Sequence, residues 1–183
     1  MNYSIIMPIQ TKQTDNKLPP GLVKDKEAKL LASKYLERAN KNIELMNIIS
    51  ELSKNKEAQK ALSLSETYSN DEWVTITSYY AMYTAALALL GKIGYKCNVH
   101  TSTIWAIEKF FIERKIIEPE YLSFLNHAKE QVSKNDVDSL SKGKNDRETA
   151  QYNVTKELTR SIAEASMKNA HAFVNKANSI ILS

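Results

Sequence analysis

A chain of 183 residues, 43% hydrophobic and 25% charged, is long enough for one domain with a real core and too short for two ordinary ones. Its net charge of +4 and isoelectric point near 9.0 permit contact with phosphate without demanding it. The single cysteine, Cys97, rules out an intrachain disulfide and a cysteine-based zinc cluster, so a reduced, cytoplasmic setting is the expectation. Met1 to Met7 is mildly apolar but is interrupted by Pro8, with no basic leader, and no stretch reads as a membrane span.

With only 4 glycines and 4 prolines, tight hairpin turns are scarce and long helices are favoured. Residues 1–23 lack apolar periodicity and end in Leu18-Pro19-Pro20-Gly21, which predicts a flexible or locally docked tail. The remainder, residues 24–183, reads as a single helical domain. A first helix opens near Asp25, with Leu31, Tyr35, Ala39, Ile43, Met46 and Ile49 in steps of three and four, and a break is expected near Asn55. Ser69 or Asn70 is placed to cap a second helix over Asp71 to Lys92.

That second helix carries two apolar stripes. One is Trp73, Ile76, Tyr80, Tyr83, Leu87 and Leu90; the other is Tyr79, Met82, Ala86, Leu89 and Ile93. A helix apolar on more than one side is surrounded by other helices or by a second subunit, so a central position and self-association are both expected. Gly91 and Gly94 end it, and a third helix follows with Ile104, Ile107 and Phe111 on one face, flanked by Trp105 and Phe110. Glu118-Pro119-Glu120 reads as the start of a fourth, since proline and carboxylates suit a first turn. Residues 133–146 show no periodicity and predict a long loop. A last helix over residues 154–182 carries Leu158, Ile162, Ala165, Ala170, Phe173, Ala177 and Ile180. The pattern is all-α: an up-and-down antiparallel bundle of four to five helices.

Two short segments carry the candidate chemistry: Ser78-Tyr79-Tyr80-Ala81-Met82-Tyr83 on the central helix, and Arg147-Glu148-Thr149-Ala150-Gln151-Tyr152 before the last one. Together with the Gly94-Tyr95 turn, His100 opening the next helix, and Ala170 and Phe173 closing the chain, they resemble the HEPN family of small helical domains. The branch that the chain is most similar to reads Arg-x-x-Ala-Asp-Tyr where this sequence has Arg147-x-x-Ala150-Gln151-Tyr152. The resemblance spans residues 24–182. It implies a homodimeric bundle that binds nucleotide or RNA, with a separate minimal nucleotidyltransferase as partner in a toxin–antitoxin-like pair. No Gly-Ser with downstream paired aspartates provides that enzyme within this chain.

Carried over residue by residue, Arg147, Gln151 and Tyr152 are ligand-binding candidates, with Lys142, Lys144 and His100 beside them. Two departures bear on activity. Gln151 removes the branch's carboxylate, and Tyr152 stands where RNase-type members have histidine. Metal-independent cleavage by a 2′-hydroxyl needs a base, an acid and a cation at the phosphate. Arg147 is a suitable cation, and Tyr152, with an ordinary pKa near 10, is a donor rather than a base at neutral pH. A binding or partner module is therefore expected, and a metal-independent endoribonuclease using Arg147 and Tyr152 is the alternative. The chemistry at neighbouring positions is plainer. His100 is expected to hydrogen-bond backbone at its helix start, and His127 to lie at the surface. The densest basic run is Lys142, Lys144, Arg147, Lys156 and Arg160. No metal-ligand spacing and no glycine-rich phosphate loop appears, so neither a metal nor a cofactor is predicted, and membranes are not expected as partners.

Overall fold

The central helix is α3 (Asp71–Lys92), at the residues its two stripes predict. Asp71 and Glu72 occupy its positive first turn, and its middle is buried on nearly every side, from Tyr79 through Leu90. The structure, a computed structural model, describes residues 17–65, 67–127, 129–130 and 152–183, the first turns of the last helix by backbone alone. Within them α1 (Ala28–Leu52), α4 (His100–Ile107) and α6 (Tyr152–Leu182) pack against α3, with α2 (Lys56–Ala61) against α1 and α5 (120–127) against α6. The chain is an all-α bundle.

Three sets of contacts fix the directions. Gly91 lies against Ala28 and Ala32, and Ser78 Oγ donates to Met46 Sδ, so α1 runs antiparallel to α3. Lys92 Nζ donates to the carbonyls of Ile180 and Ile181 (3.1 Å to the latter), supplying a cation to the otherwise unpaired C-terminal end of α6, which thus runs alongside α3. Tyr121 packs on Phe173 and Glu118 pairs with Lys176 at 2.8 Å, so α5 opposes α6. Up, down, up, down describes α1, α3, α5 and α6.

The faces of α1 and α6 follow expectation at Ala39, Met46, Ala170, Phe173 and Ala177 and differ from it elsewhere. On α1 the buried residues are Ala28, Ala32, Leu36, Ala39, Met46 and Ser50, while Leu31 and Tyr35 stay partly exposed. On α6 they are Ala163, Ser166, Ala170, Phe173, Val174 and Ala177, and Ala165 faces solvent. In both helices small residues form the seam because the axes approach closely. A Cβ on Gly91 would stand 2.9 Å from the Ala28 carbonyl oxygen and 3.3 Å from the Ala32 Cα. Larger side chains ride at the edges of such a contact. Between α1 and α6, Asn40 and Asn178 exchange hydrogen bonds, and the His171 ring meets Asn47 at 3.0 Å.

A second difference is a two-stranded antiparallel pair, β1 (Leu22–Lys24) with β2 (Tyr95–Cys97), Leu22 opposite Cys97 and Lys24 opposite Tyr95. Three-residue strands are too short to show alternation in sequence. The chain leading in is docked as well: Ser102 Oγ donates to the Pro20 carbonyl at 2.7 Å, and Asn98 N–H to that of Gly21. Gly21 has φ +75°, and a Cβ there would meet Asn98 Oδ1 at 2.3 Å, so glycine is required. Residues 20–23 therefore belong with the fold rather than with a free tail; residues 1–16 lie outside the described residues.

The break near Asn55 is present, with the Asn55 side chain accepting from Ala58 N–H at the start of α2. At α3 Asn70 takes the cap position without a side-chain cap bond, and Ser69 Oγ donates to Asp71 Oδ2 instead. Against the expectation that no stretch would qualify, α3 is long and apolar enough to cross a membrane, with mean hydropathy 1.2 over its window; 83% of that window is buried by the rest of the chain.

Candidate functional site

Tyr79 and Tyr83 stand one helical turn apart on α3, so their rings project over the same surface and stack 6.0 Å apart. The Gly94 turn (φ +79°) and β2 return the chain so that α4 begins beside them, with His100 as its first residue. The imidazole lies flat on Tyr83, ring centres 4.0 Å apart and planes 14° from parallel, and Tyr79 Oη is hydrogen-bonded to His100 Nδ1. Tyr80 meets Tyr79 edge-on. His100 thus bonds a side chain, where backbone was expected.

Burial governs the electrostatics. It pushes the Tyr79 phenol above its ordinary range, with Tyr83 and Tyr80 adding to the effect. It also raises Tyr83, although a hydrogen bond with Thr103 works the other way. For His100 burial comes first and the Lys129 ammonium second, both lowering its pKa, so the ring is neutral at pH 7. A neutral imidazole nitrogen is a far better acceptor than a phenol oxygen. Tyr79 Oη–H therefore donates to Nδ1, and the imidazole proton sits on Nε2. The ring presents an N–H donor, suited to a phosphate oxygen or a base carbonyl, and its basic nitrogen is already engaged.

No family model matches the chain, and no solved structure matches it significantly. Two curated proteins do. One, from Methanocaldococcus jannaschii and named "Putative toxin MJ0142", is 26% identical over 129 residues, covering 69% of this chain and 78% of the relative. The other, a UPF0332 protein from Archaeoglobus fulgidus, is 30% identical over 105 residues, covering 57% of this chain and 71% of the relative. The chain belongs to the UPF0332 family.

Of the residues that the sequence singles out, the structure of this UPF0332 protein places His100 in the tyrosine cluster. Arg147, Gln151, Lys142 and Lys144 lie outside the described residues, as does the loop expected over residues 133–146. Tyr152 opens α6. Along a straight α6, about 28 Å separate it from His171, which bonds Asn47 next to the Met46–Ser78 contact. The start of α6 and the His100 cluster are therefore at different levels of the bundle. Arg160 pairs with Glu164 at 3.3 Å and lines a cleft of about 470 Å³ with Lys54, Ser53 and Asp71. His127 is exposed, as expected. Among the described residues no three metal-ligating side chains gather.

Tyr79, Tyr83 and His100 stand out in the sequence but nothing there joins them, and Lys129 and Thr103 carry no signal of their own. The spacing of four between the two tyrosines was the available signal. The contact with His100 depends on the strand pair, which has no sequence signature.

Proposed function

We propose that this UPF0332 protein is a HEPN-type module of the Arg-x-x-Ala-Asp-Tyr branch that binds nucleotide or RNA. It works as one half of a toxin–antitoxin-like pair, with a separate nucleotidyltransferase as the other half. The observation that carries binding over cleavage is the Tyr79–His100 pair. It leaves a neutral imidazole with its lone pair committed and Nε2–H as its remaining polar group, a donor for holding a ligand rather than a base for activating a hydroxyl. The toxin in the name of the Methanocaldococcus jannaschii relative supports the pairing. Lys142, Lys144, Arg147, Gln151 and Tyr152 supply the remaining ligand contacts in this reading.

Self-association is part of the proposal. Between α1 and α3 a groove of about 380 Å³ is lined by Tyr35, Arg38, Ile76 and Tyr83, with Trp73 57% and Tyr80 43% exposed at its edge. Large aromatic side chains beside an arginine are the composition of interface centres, and a second copy would cover them.

The toxin in the same relative's name also fits a second reading that the HEPN resemblance implies, a metal-independent endoribonuclease with Arg147 as the phosphate cation and Tyr152 as the acid. Binding is tested by titrating labelled RNA and ATP between about 50 and about 200 mM salt. Affinity is expected to fall steeply with salt and to drop in Lys142→Ala/Lys144→Ala/Arg147→Ala. Salt-insensitive binding, or binding indifferent to the triple substitution, contradicts the reading.

A further inference from the structure

Away from the His100 cluster, on the side of the bundle that carries the strand pair, lies an open cleft of about 820 Å³. Tyr95 of β2, Trp105 of α4 and Phe110 line it together as one aromatic surface. Tyr95 and Phe110 stack with ring centres 4.7 Å apart, and Trp105 stands edge-on to Phe110 at 6.1 Å with 38% of its surface exposed. Phe110 lies in a π-helical turn, Glu108–Ile112, that continues α4. Such wide turns are rare and recur at functional sites.

The cations around these rings are distinctive. Lys24 is opposite Tyr95 in the strand register, so the two side chains share a face. Lys17 lines the mouth, and the Arg114 guanidinium sits over the Phe110 ring at 5.8 Å. Among the described residues no ion pair engages Lys17, Lys24 or Arg114, whereas Lys109 is held by Glu113 at 2.7 Å. Glu108 is the one carboxylate of the cleft outside that pair. Two cations of the cleft without an ion pair, Lys17 and Lys24, with Arg114 beside it on Phe110, against one such carboxylate favour an anion, and the aromatic surface favours flat rings.

We propose that this cleft is a stacking site for single-stranded nucleic acid, with bases on Trp105 and the Tyr95–Phe110 stack and phosphates along Lys17, Lys24 and Arg114. Base–aromatic stacking tolerates every base, because each has a π-face, and a groove of cations follows the backbone. The inference rests on the nucleic-acid reading above and adds to it a second contact region, remote in sequence from Arg147.

The chain has two tryptophans, so Trp73→Phe leaves Trp105 as the sole tryptophan reporter. Titrating that protein with oligo-U RNA and, separately, oligo-dT DNA is expected to quench Trp105 fluorescence. Trp105→Ala should weaken binding about ten-fold and Trp105→Phe should restore most of it. Lys24→Ala should reduce the dependence of log K on log salt by about 0.7, the loss of one phosphate contact to a single strand. Quenching by both polymers assigns recognition to base and phosphate alone; quenching by RNA alone adds the 2′-hydroxyl. RNA binding that is lost with Lys142→Ala/Lys144→Ala/Arg147→Ala, yet gives no quench and ignores Trp105→Ala, overturns the cleft and leaves the nucleic-acid reading standing. Failure of the unsubstituted protein to bind either polymer overturns both.

Discussion

His100 is the residue at which fold and chemistry meet. Its ring is stacked on Tyr83, bonded to Tyr79 and near the Lys129 ammonium, an environment that disfavours the imidazolium. Its titration by NMR is expected to fall below the ordinary value of about 6.5. The sign for stability follows. The unfolded chain takes up the proton first as pH falls, so stability is full above about 6.5 and declines between there and the lowered folded value. His100→Asn should flatten the fall in melting temperature between about pH 7 and about pH 5.5, the range in which an ordinary histidine titrates. An unchanged pH slope in that variant, or a His100 midpoint above the ordinary value, contradicts this picture of the site.

At the scale of elements, the close seam of α1 and α3 sets the most sensitive position. Gly91→Ala gains about 1 kcal/mol in helix propensity. It also drives a methyl to 2.9 Å from the Ala28 carbonyl oxygen and 3.3 Å from the Ala32 Cα, both backbone atoms that cannot turn aside. Overpacking of that kind costs about 1–3 kcal/mol. A net loss is therefore expected in urea unfolding, and a stabilised Gly91→Ala would show that the helices separate freely. This seam also explains what sequence could and could not reveal. The bounds of α3 were legible because fifteen of its residues are buried and no charged residue interrupts it between Glu72 and Lys92. The inner faces of α1 and α6 were legible only in part: Ala39, Met46, Ala170, Phe173 and Ala177 are buried as expected, but Ala28, Ala32, Ala163 and Ser166 carry little hydrophobic signal beside Leu31, Tyr35 and Ile162. Small residues are chosen there for close approach, and periodicity weighted by hydrophobicity rotates the predicted face towards its larger neighbours. The strand pair was invisible for a related reason: it is held by Gly21, by the Pro20 carbonyl and by pairing across seventy residues of chain, none of which leaves a local pattern.

For the whole molecule, the open groove of α1 and α3 makes a further prediction. Light scattering at micromolar concentration should report a dimer, and Tyr80→Glu, which puts a charge at the groove's exposed edge, should shift it towards monomer. A monomer in the unsubstituted protein would leave the aromatic face to a different partner. Distance enters here as well. The His100 cluster and the start of α6 stand at different levels of one bundle, so a ligand that touches both must be extended, or must be held between two copies.

The most direct test of that account is incubation of the purified protein with mixed RNAs in the absence of metal, beside Arg147→Ala. The account predicts retained RNA and no cleavage products from either protein, with weaker retention by the variant. Cleavage by the unsubstituted protein that disappears in Arg147→Ala would contradict it and establish the endoribonuclease reading in its place.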